Sequence, residues 1–142
     1  MLEYKRVKLS KKKINKRYIK MKNRYMKYIG AKEDFFVKLF FSIMIMEDYN
    51  RPWYLRILEY IVFILRKFYK KKIIMSLGIM QVKTSKIIGN KKSIELAEEM
   101  IKSLVDELYR DDELTIIKKV ALSYNPSQLY YEEITKIYKY IK

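Results

Sequence analysis

The sequence predicts a mainly helical domain preceded by a basic helix. Apolar residues recur at steps of three and four over most of the chain, which is typical of one face of an α-helix. Three Gly and two Pro in 142 residues leave few positions at which a helix would break. Residues 1–30 hold 12 Lys/Arg and one acid, whereas residues 31–142 hold 20 basic and 15 acidic residues. We therefore predict a basic helical arm over 1–30 and a nearly balanced domain over 31–142.

The first three helices are predicted from the spacing of apolar residues. The apolar face of the arm consists of Ile14, Tyr18, Met21, Tyr25 and Tyr28. Residues 35–46 are apolar nearly all round, so they predict a deeply buried second helix. Arg51-Pro52 interrupts the pattern, because proline disfavours helix in the residue before it. A third stripe is formed by Tyr54, Leu58, Ile61, Leu65 and Phe68. It predicts a helix over about 53–69, closed by the cations of 70–72.

The next part of the chain predicts a short extended segment and a fourth helix. Residues 73–82 follow no helical period and include Gly78, so we expect extended or irregular backbone there. Gly89-Asn90 would end a short helical turn, and Ser93 would be the N-cap of a helix that runs to about Tyr109. The predicted core face of this helix consists of Ala97, Met100, Ile101, Leu104, Val105 and Leu108.

Two more helices complete the prediction. Asp111-Asp112 would start the fifth helix, with Leu114, Ile117 and Ala121 facing the core. Pro126 would break that helix, and Ser127 would cap the last one. The apolar stripe of the last helix consists of Tyr130, Ile134, Ile137 and Ile141.

The composition excludes several kinds of site. The chain has no Cys and no His, so it can form no disulfide, no thiolate or imidazole metal site and no histidine-based triad. A catalyst would have to use carboxylates, Tyr, Lys or hydroxyls, and we expect no metal and no cofactor. The longest apolar stretch is much shorter than the roughly 20 residues that span a bilayer, and no signal peptide is evident.

The net charge of +16 indicates an anionic partner: nucleic acid, a membrane surface or a cell-wall polymer. The Lys excess is also typical of the amino-acid usage of an AT-rich genome. Charge alone therefore does not assign a function.

Glu47 is the first candidate for chemistry. It ends the apolar run of the second helix, where partial desolvation would raise the pKa of its carboxyl. A carboxyl that stays protonated near neutral pH can donate a proton to a leaving oxygen, as the acid of a glycosidase does. An ordinary polar residue at the end of a buried helix is the simpler alternative.

Two further segments offer polar groups. In the segment 76–81, Gly78 allows close approach of backbone or ligand, while Ser76 and Gln81 could bind an amide or a sugar hydroxyl. Tyr124-Asn125 could present a phenol and an amide to a cleft. The alternatives are a buried turn for the first segment and a helix stop for the second.

Together and in this order, the three segments resemble those of the lysozyme-like fold of lytic transglycosylases and goose-type lysozymes. The resemblance covers about residues 33–140. Glu47 takes the place of the catalytic Glu, residues 78–81 (Gly-Ile-Met-Gln) that of a Gly-Leu-Met-Gln motif, and Tyr124-Asn125 that of a later Tyr-Asn motif. The stretch from Glu47 to Gly78 is longer than is usual in the family and holds the third predicted helix.

The resemblance implies cleavage of the β-1,4 bond between N-acetylmuramic acid and N-acetylglucosamine in peptidoglycan. Glu47 would be the catalytic acid and base of a one-glutamate lytic transglycosylase, and hydrolysis by a muramidase route stays open. Ser76, Gly78 and Gln81 would hold the glycan, Met80 would line a sugar subsite unless it is a core residue, and Tyr124 and Asn125 would close the cleft. Glu59 is the candidate second carboxylate, although a solvated helix residue is the simpler interpretation.

The resemblance also implies a setting. A protein of bacterial or phage origin would be made in the cytoplasm and would act at the cell wall after release or secretion, as a monomer. Residues 5–27 could bind an anionic wall polymer or a membrane surface. The alternative function is a small basic helical protein that binds nucleic acid through those cations and the interleaved Tyr18, Tyr25 and Tyr28.

Overall fold

The computed structural model describes residues 4–69 and 74–141. Within these residues the chain is mainly helical, which confirms the predicted class. The helices are α1 (Lys11–Tyr25), α2 (Asp34–Asn50), α3 (Trp53–Phe68), α4 (Asn90–Glu107), α5 (Glu113–Tyr124) and α6 (Gln128–Tyr140), and a 3₁₀ turn spans Met26–Tyr28. Two short strands, β1 (Met75–Leu77) and β2 (Val82–Thr84), pair antiparallel with Leu77 opposite Val82.

Helix α2 lies at the centre of the fold. Eleven of its 17 residues are buried, as predicted from an apolar run that has no polar face. It contacts α1, α4, α5 and α6, so the core forms around it. The last buried residue of α2 is Glu47, which places a carboxyl at the end of the apolar core.

Helix α1 packs its predicted apolar face on this core. Ile14, Tyr18, Met21 and Tyr25 are all buried, and the ring of Tyr18 meets Phe41 edge to face. The N-cap Ser10 accepts a hydrogen bond from the backbone N–H of Lys13. The division into arm and domain stays a prediction, but α1 belongs to the same hydrophobic core as α2.

Residues 4–9 form an N-terminal strap across the C-terminal end of α2 and the middle of α6. The backbone N–H of Lys5 donates to Asn50 Oδ1 at 2.6 Å. That of Val7 donates to Glu133 Oε2 at 3.1 Å, and Lys136 Nζ donates to the Val7 carbonyl at 2.8 Å. The Val7 side chain is buried, so the strap is fixed at its middle by packing as well as by hydrogen bonds.

Helix α3 differs from the other helices because it is mostly exposed. Phe63 is its one fully buried residue, in a small separate cluster with Leu77 and Ile88. The stripe that predicts this helix lies on its exposed side. The cations of 70–72, predicted to close α3, and Ile73 of the predicted extended segment lie outside the described residues.

Several predicted details of the second half are wrong. Helix α4 begins at Asn90 with Gly89 as N-cap, and Ser93 is a buried residue inside the helix because the turn before β2 packs on it. Met100 and Leu114 are 41% and 49% exposed, since none of the described elements covers their sides of α4 and α5. The cap at Ser127 and the buried stripe of α6 are confirmed.

The residues that the structure describes include no helix of the length and apolar character needed to cross a membrane.

Candidate active site

Glu47 is the centre of the candidate site. Its side chain is fully buried, and two tyrosine hydroxyls hold it. Tyr4 of the N-terminal strap donates to both carboxylate oxygens, at 2.8 and 2.7 Å. Tyr130 of α6 donates to Oε1 at 2.8 Å, and the rings of Tyr4 and Tyr130 meet edge to face with centroids 4.9 Å apart. The carboxyl thus lies in an aromatic enclosure that excludes water.

This enclosure sets the proton affinity of Glu47. Burial raises the pKa of Glu47 from its ordinary value of 4.5 to about 7, because the charged form loses its hydration. The hydrogen bonds from Tyr4 and Tyr130 and the charge of Arg51 oppose this rise, and the negative charge of Glu59 adds to it. Glu47 can therefore gain or lose a proton near neutral pH, which a general acid and base must do.

A second polar chain lies next to this enclosure. Arg51, the residue after α2, places Nε 3.1 Å from Glu59 Oε1. Gln81 donates from Nε2 to Glu59 Oε2 at 3.0 Å and to the Gly78 carbonyl at 3.0 Å. The guanidinium of Arg51 also lies over the Tyr4 ring, 5.6 Å from its centroid. Glu59 is thus a paired, mostly buried carboxylate and not a solvated helix residue, because α2 supplies a cation beside it.

The turn between β1 and β2 depends on Gly78. Its φ of +79° suits glycine, and a Cβ at this position would lie 2.3 Å from the Cβ of Ser93. Ser93 Oγ accepts from the Met80 N–H at 3.0 Å and donates to the Leu77 carbonyl at 3.3 Å. This close approach of the turn to α4 holds Gln81 in place, also at a positive φ of 49°.

The structure places the other predicted site residues as follows. Ser76 lies in β1 opposite Lys83, outside the hydrogen-bonded turn. Met80 is fully buried in the main core, so its side chain packs as an ordinary core methionine. Asn125 accepts from the Ser127 N–H at 3.0 Å, which makes it a turn residue at the end of α5.

Tyr124 lies closer to the centre. Its ring stacks on that of Tyr130, with centroids 6.4 Å apart and planes 4° from parallel. Burial raises the pKa of Tyr124, and the nearby charge of Glu47 raises it further. Its hydroxyl is buried and has no hydrogen-bond partner among the described residues. Such an unpaired hydroxyl is unusual in a protein core.

A cleft of about 660 Å³ opens between α1, the end of α2 and the start of α3. Its cations are Arg17, Lys20, Arg24 and Arg56; the other lining residues are Met21, Tyr25, Asp48, Pro52, Trp53, Ile79 and Asn90. Asp48 pairs with Arg56 at 2.6 Å and with Arg17 at 3.9 Å, so it compensates part of this charge. Glu47 does not line the cleft, although its neighbour Asp48 does.

The structure therefore brings together Glu47, Glu59, Gln81 and Tyr124 and leaves Ser76 and Asn125 outside. Sequence reasoning missed Tyr4 and the pairing role of Arg51. Spacing carried no signal for either, because Tyr4 is 43 residues from its partner.

No group of three or more Asp or Glu in the described ranges could hold a metal ion. Comparisons with protein-family models, with curated proteins and with solved structures find no match to this chain.

Proposed function

We propose that the protein is a peptidoglycan-cleaving glycosidase that acts on the β-1,4 bond between N-acetylmuramic acid and N-acetylglucosamine, with Glu47 as its catalytic residue. One observation carries the proposal. Glu47 is a fully buried carboxyl with a pKa of about 7, enclosed by phenols and close to an Arg51–Glu59–Gln81 chain. Proton donation to a glycosidic oxygen needs a carboxyl that is protonated near neutral pH.

The reaction would begin with proton transfer from Glu47 to the glycosidic oxygen. The bond to the leaving sugar then breaks, and positive charge develops on the muramic ring. The N-acetyl group of the substrate would stabilise that charge. Glu47, now ionised, would take the proton of the muramic 6-hydroxyl, whose oxygen closes the 1,6-anhydro ring. Hydrolysis differs only in that Glu47 would take the proton of a water molecule.

The surroundings of Glu59 favour a one-glutamate mechanism. A second carboxylate acting as nucleophile or base needs a free oxygen directed at the sugar or at water. Arg51 occupies one oxygen of Glu59 and Gln81 occupies the other. Glu59 would therefore position Arg51 and Gln81, and its charge helps to keep Glu47 protonated.

Substrate access requires a change at the N-terminal strap. Tyr4 covers Glu47 and uses both of its oxygens. A sugar oxygen could reach the carboxyl once the Tyr4 hydroxyl moves away. The glycan would then extend towards the cleft, where the exposed Trp53 offers a face for a sugar ring and the cations suit the carboxylates of the muramic acid and its peptide.

The test is digestion of purified peptidoglycan, followed by mass spectrometry of the released muropeptides. Wild-type protein should release anhydro-muramic ends. Glu47→Gln should abolish release while the far-UV circular dichroism stays unchanged. Glu99→Gln is the matched control, because Glu99 is an exposed glutamate of α4 and its variant should keep full activity. Full activity in Glu47→Gln would overturn the proposal.

Binding of nucleic acid is a second candidate, favoured by the cleft. Four cations and the exposed ring of Trp53 line it, which suits phosphates and a stacked base. Tight, salt-sensitive binding of single-stranded DNA that Lys20→Glu abolishes, together with no action on peptidoglycan, would favour this candidate. Point substitution is the better test here, since deletion of α1 would remove part of the core.

A further inference from the structure

Helix α3 exposes a large apolar face. Nine of its 16 residues are large apolar or aromatic side chains that are at least 38% exposed. Trp53 is 66% exposed at one end and Phe68 is 82% exposed at the other. Monomeric soluble proteins rarely expose a continuous apolar patch of this kind without a function for it.

The exposed residues form one uninterrupted half of the helix. At about 100° per residue, the nine side chains fall within about half a turn of the helical wheel. That half contains no charged residue. The charged residues of α3 all fall in the other half: Arg56, Glu59, Arg66 and Lys67. A helix with one wholly apolar face and one charged face is typical of segments that lie at an interface.

Within the part of the chain that the structure describes, this face stays exposed. The opposite half of α3 makes the contacts with the protein, through Phe63 in its small core and through Tyr60, whose hydroxyl donates to the Ile88 carbonyl. Glu59 on the same half pairs with Arg51. Solvation of the apolar face therefore costs free energy that no contact among the described residues recovers.

Three observations identify the surface that would cover it. The chain carries a net charge of +16, and Arg66 and Lys67 are exposed beside the apolar half, so the surface should be anionic. Trp53 and Tyr54 lie at the start of α3, and Trp and Tyr side chains favour the boundary between headgroups and acyl chains. A second copy of the chain is disfavoured because it would bring two charges of +16 together.

We propose that α3 docks this protein onto an anionic lipid bilayer, lying in the plane of the interface with its apolar face towards the acyl chains. The helix is about 24 Å long, shorter than the roughly 30 Å hydrocarbon layer, so it lies on the bilayer and does not cross it. The cleft begins at Trp53 and Arg56 and would open next to the lipid headgroups. The proposal does not depend on the proposed glycosidase activity.

Trp53 provides a direct readout, because it is the one tryptophan of the chain and lies at the start of this face. Its emission should shift to the blue on addition of vesicles of phosphatidylcholine mixed with phosphatidylglycerol. Vesicles of phosphatidylcholine alone should give a weaker response. No change of emission with the anionic vesicles would overturn the proposal.

Variants test the face itself by flotation with the same vesicles. Ile61→Glu should weaken partitioning by about tenfold or more, because it removes an apolar side chain from the acyl boundary and places a charge there. Leu114→Glu is the matched control, since Leu114 is 49% exposed on α5, close to the 47% of Ile61, and its variant should bind as wild type. Circular dichroism should show that both variants remain folded.

Three results from the variants would also overturn the proposal. The first is unchanged binding in Ile61→Glu. The second is loss of binding in Ile19→Glu with no loss in Ile61→Glu, which would place the lipid contact on α1. The third is a lipid-free dimer in light scattering that Ile61→Glu dissociates, which would show that a second copy covers the face.

Discussion

The substitution Glu47→Gln tests the enclosure of Glu47 without any substrate. The folded protein binds a proton at Glu47 more tightly than the unfolded chain does, because burial raises its pKa from 4.5 to about 7. Stability from this group is therefore fully present below about pH 4.5 and is lost as the pH rises to about 7. At about 1.4 kcal/mol per pKa unit, the loss amounts to about 3 kcal/mol.

Glutamine keeps the shape of the side chain and cannot ionise. We therefore expect Glu47→Gln to raise the free energy of unfolding by about 3 kcal/mol at pH 8 relative to wild type, and to change it far less at about pH 4. Urea denaturation of both proteins across this range measures the difference. Comparing the two proteins at each pH removes the contributions of the other carboxyls.

Glu99→Gln serves as the control, because Glu99 is exposed and its substitution should leave the pH dependence of stability as it is in wild type. A difference between Glu47→Gln and wild type that stays constant with pH would refute the reasoning. It would mean that Glu47 has the same proton affinity in the folded and unfolded protein.

Three other substitutions test parts of the site and the fold. Tyr4→Phe removes a donor to both oxygens of Glu47, so the pKa of Glu47 should rise further. In urea denaturation, the free energy of unfolding should then go on decreasing up to a higher pH than in wild type. Gly78→Ala should destabilise by about 3 kcal/mol, because its Cβ would collide with Ser93 at a positive φ; an unchanged urea midpoint would contradict the close approach. Ser127→Ala should cost about 1 kcal/mol through loss of the α6 cap, measured in the same way, and no loss would contradict the cap.

Much of the helical framework could be predicted because local periodicity determines it. The apolar run of α2 predicted both a helix and its burial, and the stripe of α6 predicted the face that carries Tyr130 and Ile134 into the core. Periodicity shows which side of a helix is apolar but not which other element packs on that side. The stripe of α3 therefore predicted a helix correctly and gave no indication that this face is exposed.

Parts of the site could not be predicted, because contacts between distant segments form them. Tyr4 approaches Glu47 because the N-terminal strap is fixed at Asn50 after Tyr4 and at Glu133 of α6. Ser93 had the residue type of an N-cap, but the Gly78 turn uses its hydroxyl inside α4. Glu59 likewise gained a partner from the end of α2, which its own helix spacing could not indicate.

The most direct test of Glu47 as the catalytic residue is mass spectrometry of peptidoglycan incubated with wild-type protein and with Glu47→Gln. We expect anhydro-muramic products from wild type, none from Glu47→Gln and a full yield from the exposed control Glu99→Gln. Equal product yields from wild type and Glu47→Gln would contradict that role.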